Sequence, residues 1–488
     1  MFPKTLGLFL LVPALVFAQE NPATLVQRAN TLREQNNLVE AEKLYRQAIE
    51  LSPNLVSAHY GLGVTLRQRG DLNGAISAQR EALKLDPNYI PAHYSLGIAL
   101  FQKGDVNGAI NAYQKVIQLS QPSPSLAPTY YNLGLAQEKR QNFPAAVAAF
   151  QTAIKLDPKR DSAYSGLGAV LRKQGKRQEA IEVLKKAIAL QPDNAAALFS
   201  LGVVLYETKD YKGAVDAYRS VLALKPDFPN AHYNLAIVLT EQGDVTAAAD
   251  AYAQAVKLND RNPDLYNAWG NVLLQIGKIT DAQAAFSRSL VLQPRNPVAL
   301  NGIGLAYRRQ GDLTRAIESY TKAIQLSPQY APAYNNLGRA YADRQEMDKA
   351  MEAFQNAIRV DPQNAVAYSN LGNLQRTRGN MEEAIKSLRQ AIALGKEEIW
   401  TDYTSLGLAL VEQNNYDEAL QVYRQSLEKN PNYALTHLGL GALFSRKGDK
   451  QQALSHYQTA LKLYEAAQDK EWIDRVQQAI KALQEPGK

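Results

Sequence analysis

Downstream of residue 21 the chain alternates between two kinds of amphipathic segment. The first carries small residues and Leu on one stripe, as in Ala92, Leu96, Gly97 and Leu100. The second carries an Ala with an aromatic four residues later, as in Ala109 and Tyr113. Spacings of three and four place such residues on one face of a helix. Two such stripes joined by a short polar turn predict a helix hairpin that buries one face of each partner. The pattern recurs, with prolines as its ruler: Pro53, Pro87, Pro158, Pro192, Pro226, Pro294, Pro328 and Pro362 lie 34 residues, or nearly a multiple of 34, apart. In that register repeats begin near residues 22, 56, 90, 127, 161, 195, 229, 263, 297, 331, 365, 400 and 434, which makes thirteen units over 22–467. Two joints are irregular, at 121–126 and 396–399, with extra residues at Gln121-Pro122-Ser123-Pro124 and Glu397-Glu398-Ile399.

Punctuation within the units agrees with the hairpin reading. The first segment stops at a Gly such as Gly70, Gly104, Gly175, Gly243, Gly277, Gly311, Gly379 or Gly448, a residue that ends a helix in the left-handed conformation without a Cβ penalty. Asp71, Asp105, Asp244, Asp312, Asn380 or Asp449 follows, placed to cap the second helix. That helix ends before a corner such as Asp86-Pro87-Asn88, where Pro cannot continue one helix but can begin the next. Twelve residues after a small residue in each first helix (Gly63, Gly97, Gly134 and their equivalents) comes an Ala in all thirteen second helices. Small residues facing each other let two helices approach closely.

This arrangement resembles the tetratricopeptide repeat family, as in Ala92-His93-Tyr94-Ser95-Leu96-Gly97-Ile98-Ala99-Leu100 followed by Gly104-Asp105, Ala109 and Tyr113. The resemblance covers Pro22 to Ala467 and implies an all-α fold, a right-handed superhelical solenoid whose first helices line a concave groove. It also implies a protein-binding scaffold without naming the ligand. Residues 469–484, with Ile473, Val476, Ile480 and Leu483 on one stripe, predict a capping helix.

Composition narrows the function classes. Lys plus Arg number 54 and Asp plus Glu 47, a net charge of +7 spread along the chain without a basic block, which argues against a nucleic-acid partner. There is no Cys, so neither a disulfide framework nor a thiol nucleophile exists. No phosphate-cradling loop, His-Glu-x-x-His or Gly-x-Ser-x-Gly motif is present and the repeats leave no room for a catalytic domain, so the chain reads as a non-enzyme with no cofactor. The N-terminus reads as an export signal over residues 1–18: a positive start ending at Lys4, an apolar run from Leu6 to Ala18, and a Val16-Phe17-Ala18 end that suits cleavage before Gln19. The run is shorter than the roughly 20 residues of a membrane-spanning helix. The expected location is periplasmic or secreted (the thylakoid lumen in a photosynthetic organism), with an uncleaved membrane tether as the alternative.

His59, His93, His232 and His437 share one repeat position, where other units carry Tyr130, Tyr164, Tyr266, Tyr334, Tyr368 and Tyr403. That is a packing slot for a flat ring rather than a metal site, because equivalent residues on stacked helices stand about 8–10 Å apart. His456 lies alone in a second helix and is expected at the surface.

The face of the first helices opposite their packing stripe is the expected recognition surface. In units two to seven it carries Val64, Ile98, Leu135, Val203 and Ile237, flanked by Tyr60, Tyr94, Tyr131, Phe199 and Tyr233, with Phe101 and Tyr206 a turn farther on. An apolar ligand groove and simple packing between helices both account for them. Units eight to eleven change character, with Asn267, Asn271, Asn301, Asn335, Asn336, Asn370 and Asn373 beside Arg308, Arg309, Arg339 and Arg376. Asn can pair with both groups of a peptide backbone and Arg can grip a carboxylate; a solvated polar lining is the plainer reading. These asparagines resemble the asparagine ladder in the tetratricopeptide half of O-linked N-acetylglucosamine transferases, whose transferase half is absent. The expected function is a scaffold that holds peptide or helical segments of partner proteins, in assembly or recruitment at the cell envelope. The alternatives are a self-associating structural spacer and a non-catalytic subunit of an enzyme complex.

Overall fold

The computed structural model describes residues 21–395 and 397–484; the export signal expected over 1–18 lies outside them. The described residues form 27 α-helices, α1 to α27 in chain order, with one short 3-10 turn and no strand. They divide into two compact units, one ending at Gln242 and one starting at Gly243.

In the N-terminal unit the odd-numbered first helices are α1 (Pro22–Glu34), α3 (Val56–Gln68), α5 (Ile90–Lys103), α7 (Ala127–Lys139), α9 (Asp161–Lys173), α11 (Ala195–Glu207) and α13 (Pro229–Glu241). Each of the first six packs on the second helix that follows it, and successive first helices also touch, α7 on α9 and α9 on α11. The C-terminal unit repeats the scheme with α15 (Pro263–Gln275), α17 (Pro297–Arg309), α19 (Ala331–Asp343), α21 (Ala365–Thr377), α23 (Ile399–Glu412) and α25 (Ala434–Arg446), and closes with α27 (Lys470–Gln484) against α26 (Lys450–Ala466). In the last joint Val476 is fully buried and Trp472 stacks on Tyr464 with ring centroids 5.5 Å apart.

Local chemistry explains the turns. Gly70, Gly104 and Gly175 hold φ of 88°, 92° and 78°, and units without Gly put Asn36, Gln141, Lys209, Gln345 or Asn414 there at φ of 61° to 64°. Asp71, Asp105, Asp244, Asp312 and Asp449 each accept the backbone N–H three residues on, at 2.8 to 3.1 Å. Asn380 does not; its side chain makes no capping bond. At the first irregular joint the extra residues form the 3-10 turn Pro124–Leu126, which tucks Leu126 into the core. At the second, α23 begins at Ile399, one residue ahead of Trp400, with the Thr401 hydroxyl donating to the Glu398 carbonyl at 2.8 Å.

The core is a column of small residues and rings. The thirteen second-helix alanines, from Ala41 to Ala453, have no exposed surface. What forbids a side chain at the first-helix glycines is chiefly the ring four residues beyond that Ala: a Cβ on Gly134 would come 2.6 Å from Phe150, and one on Gly202 2.7 Å from Tyr218. Some rings are enclosed from both sides, since a Cβ on Gly166 of the next hairpin would also lie 2.7 Å from Phe150. Unit two substitutes Gln79, fully buried, whose Nε2 donates to the Tyr60 carbonyl and the Ser95 hydroxyl.

Candidate protein-binding face

The shared histidine position has a hydrogen-bonding as well as a packing role. Nε2 of His59, His93, His232 and His437 sits 2.7, 2.9, 2.9 and 3.1 Å from the carbonyl of the corner prolines Pro53, Pro87, Pro226 and Pro431. His456 is neither alone nor at the surface. It is half-buried, its Nδ1 3.1 Å from Nδ1 of His437 and its ring parallel to Phe444 at 5.6 Å. Sequence reasoning missed this pair because the two residues come from different helices and nothing in their spacing joins them. Among the described residues no three His, Asp or Glu side chains are grouped to hold a metal.

In the N-terminal unit the inner-face residues Tyr60, Tyr94, Tyr131, Phe199 and Tyr233 are all half-buried, as are Val64, Ile98, Leu135, Val203 and Ile237. The aromatics lean on other rings: Tyr94 on Tyr113 at 6.2 Å, Tyr131 on Phe150 at 5.9 Å, and Phe199 on both Tyr218 at 5.7 Å and Phe228 at 5.2 Å. Asn132 of α7 donates to the Tyr94 hydroxyl of α5 at 3.0 Å, tying adjacent first helices together. Burial, above all else, raises the pKa of Tyr94, Tyr113, Tyr131 and Tyr218 above the phenol value of 10.0, so these hydroxyls stay neutral. Phe101 is half-buried against the same core. Val203, Tyr206 and Ile237 line a cleft of about 240 Å³ with Glu207 and Asn234. The stripe thus packs on one side and stays open on the other.

In the C-terminal unit the polar residues largely bond to one another. Asn336 donates to Asn301 at 3.0 Å and Asn370 to Asn335 at 2.8 Å, each bond linking one first helix to the next. Asn373 turns back to the Ser369 carbonyl of its own helix at 3.0 Å. Asn267 belongs to the same series, but the residue that should donate to it is Gly302, and neither its Oδ1 nor its Nδ2 has a partner among the described residues. Asn271 is exposed. Arg308 pairs with Asp343 at 2.6 Å, Arg376 lies 3.6 Å from Glu412, and Arg309 donates to the Leu274 carbonyl. Arg339 alone of the four arginines makes no hydrogen bond or ion pair among the described residues. It is exposed and lines a 260 Å³ cleft with Arg308, Asn370 and Asn373. Desolvation by the cleft walls, and then Arg308, push its pKa below the guanidinium value of 12.5, which leaves it fully charged at neutral pH.

Models described as TPR repeat match residues 29–66, 65–104, 97–141 and 407–448, and models described as tetratricopeptide repeat match 127–160, 333–398 and 436–471. The chain belongs to the tetratricopeptide repeat family. A model for the C-terminal domain of cilia and flagella-associated protein 70 matches residues 160–365. No curated protein matches the sequence. Similar solved structures include the Cut9–Hcn1 hetero-tetramer of APC/C, 18% identical over 96% of this chain and 97% of that one with a TM-score of 0.45. Yeast Tom70 is 16% identical over 80% and 96% with a TM-score of 0.41. YrrB, described as a TPR protein with an unusual peptide-binding site, is 24% identical over 38% and 96% with a TM-score of 0.33. A tandem array of these repeats is a protein–protein interaction scaffold. No helix among the described residues is long and apolar enough to cross a membrane.

Proposed function

We propose that this chain is an exported scaffold that grips segments of partner proteins along the inner face of its first helices, in assembly or recruitment at the cell envelope. The observation that carries the groove reading is the contrast between fixed and free positions. The alanine and ring positions of every hairpin are buried, whereas Ile98, Leu135 and Val203 keep an open side and Arg339 keeps a free guanidinium. Half-exposed aliphatics beside rings supply apolar contact area, and the unpaired Arg339 supplies a charged anchor for a carboxylate. Export rests on the apolar run from Leu6 to Ala18.

The test is site-specific photocrosslinking in the organism's own envelope extract. A crosslinker at Ile98, Val203 or Arg339 is expected to capture partner proteins, whereas one at Val39 or Val291, which are 61% and 68% exposed on second helices, is not. Capture from the second-helix positions alone would assign binding to the opposite face. Export is checked by fusing residues 1–22 to a reporter that is active only outside the cytoplasm.

A further inference from the structure

The inner row of the N-terminal unit has a gap. Where neighbouring first helices carry Tyr131 or Phe199, α9 carries Ser165, and where they carry Leu135 or Val203 it carries Ala169. The helix itself is regular from Asp161 to Lys173, so the missing side chains leave space. An open trough of about 460 Å³ lies over α9, walled by Tyr131 and Leu135 of α7 on one side and by Ala196 and Ser200 of α11 on the other. Packing accounts for Gly166, because a Cβ there would meet the Phe150 ring. Ser165 has a local role of its own, its buried hydroxyl donating to the Asp161 carbonyl and accepting from the Asn194 amide, each at 3.0 Å; Ala169 has none, since it already carries a Cβ and its counterparts on α7 and α11 hold longer side chains.

Charge indicates what fits. The chain as a whole is positive at +7, yet the trough is lined by three carboxylates, Glu138, Asp161 and Asp193, against one ammonium, Lys225. Lys173 engages Glu138 at 2.8 Å and the Asn194 amide donates to Asp161. Asp193 stands exposed on the turn before α11 with no ion pair among the described residues. An anionic group would meet like charge here, and a purely apolar side chain would desolvate the carboxylates without compensation. A long aliphatic stem ending in a cation satisfies both the apolar wall and the acidic end, and an aromatic face such as that of Tyr131 adds to its hold on a cation.

We propose that this trough seats an arginine or lysine presented by a segment of a partner protein, its stem against Tyr131 and Leu135 and its charged head at Asp161 and Asp193. The proposal rests on the groove reading above and specifies the chemistry of the partner there. It is tested by selecting phage-displayed random dodecapeptides on the full chain and measuring the affinities of the winners. Winners should carry a basic residue. Their affinity should fall about tenfold when that residue becomes Glu, and by a similar factor on Ala169→Leu, which fills the trough with a neighbour's side chain, or on Asp193→Lys, which changes only an exposed turn. Winners that lack a basic residue, or that bind these two variants unchanged, overturn the trough inference. If such winners are still weakened by Arg339→Glu in the other unit, the groove reading stands without the trough. If no winner is weakened by any of the three variants, both fail.

Discussion

Phe286, on α16 (Ile279–Leu292), sits between two glycines, Gly270 of its own hairpin and Gly302 of the next, with none of its surface exposed. A methyl at Gly302 has to displace the ring, and overpacking of this kind costs about 1–3 kcal/mol. Gly302→Ala is therefore expected to destabilise the C-terminal unit by that much, read as a lowered urea midpoint, whereas the same change at Gly277, where a Cβ meets nothing within 4 Å, acts only through its positive φ of 78°. The same Gly302 orphans Asn267. With both amide atoms buried and unpartnered, Asn267→Leu is expected to stabilise the unit by about 1 kcal/mol, since an unsatisfied buried amide costs about 1–3 kcal/mol. A raised urea midpoint at unchanged slope would show it; a fall would mean that the amide is satisfied by water. Gly270 was legible in the sequence because its position is small in every unit. The role of Gly302 was not, because its position varies among Gly, Ser, Asn, Ala and Gln and its meaning lies in a ring sixteen residues earlier.

Within single hairpins, the one formed by α25 and α26 is sensitive to pH. In the arrangement where His437 donates only through Nε2, to the Pro431 carbonyl, its Nδ1 accepts from Nδ1–H of His456. Burial, and then the neighbouring His437, depress the pKa of His456 below the ordinary 6.5. The unfolded chain therefore takes up its proton first as pH falls, so this contribution to stability is complete above about pH 6.5 and is lost as pH falls through 6.5 toward the folded value. Hydrogen-exchange protection of the α26 amides should hold steady above about pH 6.5 and drop as pH falls below it, and His456→Phe should flatten that drop. The carboxylate cap Asp449, whose pKa is lowered by the N–H of Gln452, acts at lower pH and does not confuse the reading. Sequence reasoning reached most of the caps because the signals lie within four residues of one another. It failed on Asn380 and His456, where the outcome depends on rotamers and on a facing helix. The asparagines show the same boundary: residue type and helix face were legible, but not the bonds by which Asn301, Asn335, Asn336 and Asn370 satisfy one another across helices.

For the molecule as a whole, the fold class followed from one number, the 34-residue period, because a hairpin with one apolar face on each helix has to stack on another to bury it. The inner-face candidates were less legible, since exposure and pairing decide which of them remain available; of the four candidate arginines only Arg339 is without a partner among the described residues. Within each unit the hairpins pack on their neighbours in sequence and on little else. That one-dimensional contact pattern has a mechanical consequence. Pulled from its ends, a unit has no distant contact to break first, so tension falls on one hairpin joint after another. Each 34-residue repeat that yields frees roughly 110 Å of chain while the repeats beyond it keep their structure. A scaffold built this way can lengthen under load in discrete increments and still present, on every hairpin that remains folded, the inner face proposed above to hold a partner.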